Sequence, residues 1–181
     1  ELGMQAWGTR DPGGNFPPHG WFAARYCELL RNMLVREEGS VLHLASALSP
    51  RWVRPGDVIR VTGSPTNFGP ISMTLHSLAD GAELTLESKW RTAPEKLVFH
   101  VPWFLAIESA EAAGVSVDKE KGLVSLPPDA GTCRLHWAWK EKPDLSYQRA
   151  VQLWLSKQYD ARPETDRNFL FPRPVRPVLL N

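Results

Sequence analysis

A chain of 181 residues fits one domain with extra elements at its ends, and it is long enough to bury a hydrophobic core. With 43% hydrophobic and 23% charged residues it is no disordered polyelectrolyte. A net charge of +1 gives no sign of a dominant surface for nucleic acid or another acidic polymer, and no apolar run approaches the ~20 residues that span a bilayer.

Residues 1–20 are dense in Gly, Pro, Asn and Asp. Turns are expected at Asp11-Pro12-Gly13-Gly14 and around Pro17-Pro18. The chain opens on Glu1, shows no basic-plus-apolar leader, and is expected to be a fragment of something longer.

Residues 20–37 read as the clearest helix, with Phe22, Tyr26, Leu29, Leu30, Met33 and Leu34 at helical spacing and Gly39 as its stop. Trp21, Ala23, Ala24, Cys27 and Val35 widen the apolar face beyond one stripe. Such a helix calls for contacts on more than one side. A single sandwich covers only one.

From Val41 the period changes to two. Strands are expected at 41–45, 58–62, 71–77, 83–87, 97–101, 106–110, 115–117, 123–126 and 133–139, with a turn at Asp80-Gly81. Short strands with regular turns predict a mainly β fold: an antiparallel β-sandwich with an N-terminal and a C-terminal helix. The second helix is placed at 145–160 with Ser146 as N-cap. A Pro-rich tail follows from Arg162, and its Arg162, Arg167, Arg173 and Arg176 read as solvated charge. The expected organisation is 1–39 as loop and helix, 40–142 as sandwich, and 143–181 as helix and tail.

Cys27 and Cys133 form no CxxC pair. A disulfide between them stays open beside the reading of Cys27 as a buried core thiol, and the compartment stays open with it. His43, His76, His100 and His136 fall within strands without the tight local spacing of a zinc site, so no metal or cofactor is expected. Arg10, Asp11 and His19 share a loop, where an acid, an imidazole and a guanidinium suit catalysis or the grip of a sugar hydroxyl or carboxylate, a reading that stays open beside turn capping by Asp11 and helix capping by His19. Glu83 and Glu87 alternate with Leu84 and Leu86 as solvent-facing positions, and with Glu108 and Glu111 they are the carboxyls weighed for acid–base work. None is assigned a catalytic role. Trp137 and Trp139 share one face of a strand and read as core. Trp90 and Trp103, near strand ends, are the better choices for an exposed aromatic shelf.

The string Gly-Asn-Phe-Pro-Pro-His-Gly-Trp (14–21), the apolar helix from Ala24 to Glu38, and Leu42-His-Leu-Ala-Ser-Ala-Leu-Ser-Pro-Arg-Trp52 together carry a resemblance. So do Gly56-Asp57 and Pro65-Thr66-Asn67-Phe68-Gly69-Pro70-Ile71-Ser72. Over roughly residues 15–140 the chain resembles the junction in large bacterial glycoside hydrolases where an α/α-toroid catalytic domain ends and a C-terminal β-sandwich begins. The resemblance implies a non-catalytic accessory module that buttresses the toroid, because that family's catalytic carboxylates lie in the toroid. It implies the toroid domain and carbohydrate as partners, with Asn15, His19 and Trp21 as carbohydrate contacts where the N-terminal loop faces the toroid cavity, beside Trp90 and Trp103 as the aromatic shelf read from their positions. A bacterial protein, secreted or periplasmic, would fit. The alternatives are a free-standing carbohydrate-binding module and a small autonomous hydrolase.

Overall fold

A computed structural model of the chain describes residues 20–140, together with 146, 148, 149, 151 and 152. The contacts divide it into two compact units, 1–141 and 142–181. In the second unit Ser146 Oγ accepts the Arg149 N–H at 3.2 Å, the N-cap arrangement expected of it, and 148–149 and 151–152 are helical. The remainder of that helix and the tail from Arg162 lie outside the described residues.

Among the described residues the first unit opens on helix α1 (Gly20–Leu34) and continues as ten strands. In chain order these are β1 (Val35–Glu38), β2 (Val41–Leu44), β3 (Val58–Ser64), β4 (Ile71–Leu78), β5 (Gly81–Ser88), β6 (Lys96–His100), β7 (Leu105–Glu111), β8 (Ser116–Asp118), β9 (Leu123–Leu126) and β10 (Thr132–Trp139). They form two five-stranded sheets. Sheet A has the order β1-β2-β6-β9-β8 and sheet B the order β3-β4-β5-β10-β7. The expected β-sandwich is what forms. All pairs are antiparallel except β2 with β6, which run parallel because the chain visits sheet B between them.

Alternation builds the core. Ile71, Met73, Leu75 and Ser77 of β4, Leu84 and Leu86 of β5, and Cys133, Leu135 and Trp137 of β10 point inward from sheet B. Leu42, Leu44, Leu97, Phe99, Val124 and Leu126 meet them from sheet A. At about 25 cal/mol per Å² of apolar surface removed from water, this double layer is the main stabilising term.

Two expectations need correction at the start of the domain. The helix ends at Leu34, and residues 35–38 are strand β1, which the helical pattern had absorbed. Val35 is buried in the sandwich core while Arg36 and Glu38 take the outer face, a period-two arrangement that pairs with β2. Gly39 is therefore no helix stop. With Ser40 it forms the two-residue turn joining β1 to β2, its φ of 58° supplying the positive angle such hairpins need at their first central position. The β4–β5 turn is likewise Ala79-Asp80, with Gly81 opening β5.

The segments that carried the resemblance act as local locks. Asp57 accepts the Arg54 N–H at 3.0 Å, while Gly56 N–H and Asp57 O pair with the backbone of Ser77. Thr66 Oγ1 donates to Gly69 O and accepts from Phe68 N–H, closing the 65–69 loop. That loop is tied to β1, because Glu37 accepts the Asn67 N–H.

Candidate functional site

α1 has no buried residue. Trp21 is 68% exposed, Leu29 57% and Tyr26 51%, and Phe22 and Leu30 also face solvent. Phe22, Tyr26, Leu29 and Leu30 share one stripe of the helix, and the Phe22 and Tyr26 rings stack with centroids 6.1 Å apart. A contiguous apolar face of this kind, on a domain whose core is otherwise closed, is the signature of an interaction surface. Cys27, read from the sequence as a core position, is exposed on this helix, and both cysteines are free thiols.

The helix is held to the sandwich at its C-terminal end. Leu34 runs into Val35 without a loop, and the last carbonyls of α1 are satisfied from outside: Ala45 N–H donates to Leu34 O at 2.8 Å and Ala47 N–H to Met33 O at 3.0 Å. Arg31 reaches across to Glu37 at 3.1 Å and to Pro65 O at 2.7 Å. An open groove of about 590 Å³ lies beside this clamp, lined by Cys27, Glu28 and Arg31 of α1, Arg36 and Glu37 of β1, and Pro65. α1 is thus anchored to the sandwich at its C-terminal end, with Tyr26, Leu29 and Leu30 largely exposed along its length.

The tryptophans weighed for stacking on sugar rings separate into different environments. Trp103, in the β6–β7 connection, is 76% exposed and stands edge-on to buried Phe104, which in turn stacks on Trp139. Trp90 is partly buried against the core and donates its Nε1–H to Pro128 O at 2.9 Å, which ties its indole into the packing of the sandwich. Trp137 is buried and Trp139 partly so. Asn15 and His19, together with Arg10 and Asp11, lie outside the described residues.

Each sheet carries a polar cluster on its outer face. On sheet A, His43 Nδ1 lies 2.8 Å from His100 Nε2, and His43 Nε2 is 3.6 Å from Glu38 Oε2. Arg36 completes this cluster, 2.7 Å from Glu38 and 3.0 Å from Ser46 Oγ. Its hydrogen bond and its charge hold the Glu38 carboxyl below the usual range. Burial, then the Arg36 cation, holds His43 below the ordinary imidazole value; burial, then His43, does the same to His100. On sheet B, Arg134 binds Asp80 at 2.5 Å and draws its carboxyl down, and His136 lies 3.3 Å from Glu111. Glu83 faces His76 on one side and Arg134 on the other, exposed with Glu87 on the open face of β5. Glu108 and Glu111 are exposed at the edge strand β7.

The sequence placed these histidines on strands but did not bring any two together. The His43–His100 contact depends on the parallel β2–β6 pairing, which no local pattern encodes. The molecule is in class a two-sheet β-sandwich domain that presents an amphipathic N-terminal helix. Comparison of the chain with known protein families, curated proteins and solved structures gives no match.

Proposed function

We propose that this chain is the non-catalytic C-terminal β-sandwich module of a bacterial carbohydrate-degrading glycoside hydrolase. In that reading α1 packs among the helices of the enzyme's α/α-toroid catalytic domain and the sandwich buttresses it. One observation carries the proposal: a 15-residue helix with no buried residue presents Tyr26, Leu29 and Leu30 to solvent while its C-terminus is bonded to the sandwich. Burying such a stripe against a neighbouring helix is worth about 1.5–3 kcal/mol for each large apolar side chain.

The test is co-expression of residues 1–181 with a helical glycoside-hydrolase domain from the same source. The two are expected to co-purify, with sugar turnover requiring the helical domain and Leu29→Glu/Leu30→Glu abolishing the association. Turnover by the isolated chain, or association indifferent to those substitutions, would count against the proposal. A second reading, a free-standing carbohydrate-binding module, draws on the exposed Trp103 backed by Phe104. It predicts retention of the isolated chain on insoluble polysaccharide, lost in Trp103→Ala.

A further inference from the structure

The β1–β2 hairpin joins the rest of sheet A through β2–β6, a parallel pairing four residues long. Parallel pairing is slightly weaker per residue than antiparallel, so side chains across this seam matter more than elsewhere. His43 of β2 and His100 of β6 close it, with Nδ1 and Nε2 2.8 Å apart and the ring centroids 5.1 Å apart. One of the two facing nitrogens must lack a proton for that bond to exist.

Their charged neighbours among the described residues are Arg36 and Glu38 from β1 and Lys96 from β6. Across β6, β9 presents Leu123 and Ser125, neither of them titratable. A first proton on the pair is tolerated, because it sits between the rings or on the outer Nε2 of His43, 3.6 Å from the Glu38 carboxylate. A second proton places hydrogens on both facing nitrogens. The attraction across the seam then becomes repulsion, with Arg36 and Lys96 adding to it.

We propose that the His43–His100 pair is an acid-released latch tying the β1–β2 hairpin, and through it α1, to β6. Because Leu34 passes directly into Val35, a loosened hairpin means a loosened mount for the docking helix. Only the identity of what α1 docks with rests on the function proposed above; the latch belongs to the sandwich alone. Both imidazoles are held below their ordinary value, so the folded pair binds fewer protons than free histidines do. Its stabilisation is therefore complete above the ordinary histidine range and is lost as pH falls through the lowered values.

Hydrogen exchange on the whole chain at pH 7.5 and 5.0, with EDTA present and intrinsic rates corrected, tests this directly. The β1 and β2 amides are expected to lose several-fold more protection in acid than those of β4 and β5, because the stabilisation that is lost is confined to the β2–β6 seam. His100→Gln, which keeps a polar partner that cannot be protonated, should erase the difference. Imidazole NMR of the unmodified chain gives a readout that needs no variant: the two rings should titrate as a linked pair below the ordinary value. Equal protection at both pH values, separate ordinary titrations, or a folded His100→Gln that keeps the full acid loss would each overturn the latch. Failure of α1 to bind a toroid domain would leave all of these readouts unchanged, so the two proposals fail separately.

Discussion

The carbonyl oxygen of Leu135 occupies the space that a side chain at Gly81 would need: a Cβ built there would stand 1.8 Å from it. Gly81 opens β5 opposite His136 of β10, so the close approach is between two central strands of sheet B, and neither backbone has room to retreat. Its φ of 155° is also one that L side chains rarely adopt. Gly81→Ala is therefore expected to cost about 3 kcal/mol or more, read from the midpoint of urea unfolding. Gly131, with nothing within 4 Å of the same construction, is the matched control and should accept Ala with little change. Equal stability of the two variants would show that β5 and β10 are less tightly apposed than described.

The exposed stripe of α1 separates folding from binding. Leu42 is fully buried between the sheets, whereas Leu29 is 57% exposed on the helix. Leu42→Ala should destabilise the domain by about 2–5 kcal/mol, through lost transfer energy and the cavity left behind. Leu29→Glu should stay within about 0.5 kcal/mol of the parent chain, as surface changes do. Sedimentation of the same proteins supplies the second readout. The parent chain should self-associate as concentration rises, since an exposed apolar face finds a partner where it can, and Leu29→Glu should not. A marked loss of stability in Leu29→Glu would mean that the stripe is covered within the chain itself.

How far the sequence disclosed this arrangement depended on which interactions were local. Period-two alternation was clearest in β4 and β5, where inward residues such as Leu75 and Leu84 are flanked by polar neighbours that must stay wet, and short apolar runs between turns placed others such as β6. β1 escaped because Val35-Arg36-Glu37-Glu38 follows the helical stripe with no Gly or Pro to break it, and pairing with β2 decides its conformation. The excess width of the α1 apolar face could be read directly, and it pointed to the exposed stripe. The histidine latch could not be read, since His43 and His100 are 57 residues apart and meet only through a crossover between sheets. The partial burial of Trp90 could not be read for a related reason. Its indole donor is satisfied by Pro128 O from 38 residues away, and nothing near Trp90 announces that partner.

That bond distinguishes Trp90 from Trp103. Trp90→Phe keeps most of the packing but removes the Nε1–H, leaving Pro128 O without its donor. A cost of about 1–2 kcal/mol is expected, with a smaller loss for Trp103→Phe, whose ring is 76% exposed. Acrylamide quenching of the tryptophan fluorescence offers an independent check. Removing Trp103 should take away a readily quenched component, and removing Trp90 a protected one.

The two cysteines should part company in reactivity. Cys133 points into the core from β10 beside Leu135 and Trp137, and burial pushes its thiol above the ordinary value. The nearby Glu111 charge adds to that shift, although a backbone hydrogen bond opposes it. The thiolate is the reactive form, so this position is closed both by access and by charge. Cys27 stands exposed on α1 beside the open groove. At pH 8 a maleimide or disulfide reagent is expected to modify one thiol per chain rapidly, with mass mapping to Cys27. The second thiol should react only as fast as the sandwich opens, and in denaturant both should react together. If Cys133 were modified as quickly as Cys27 in the native chain, the inner face of β10 would have to be accessible. Protection of Cys27 that appears only on mixing with a helical partner domain would place that partner along α1, on the side where the groove lies.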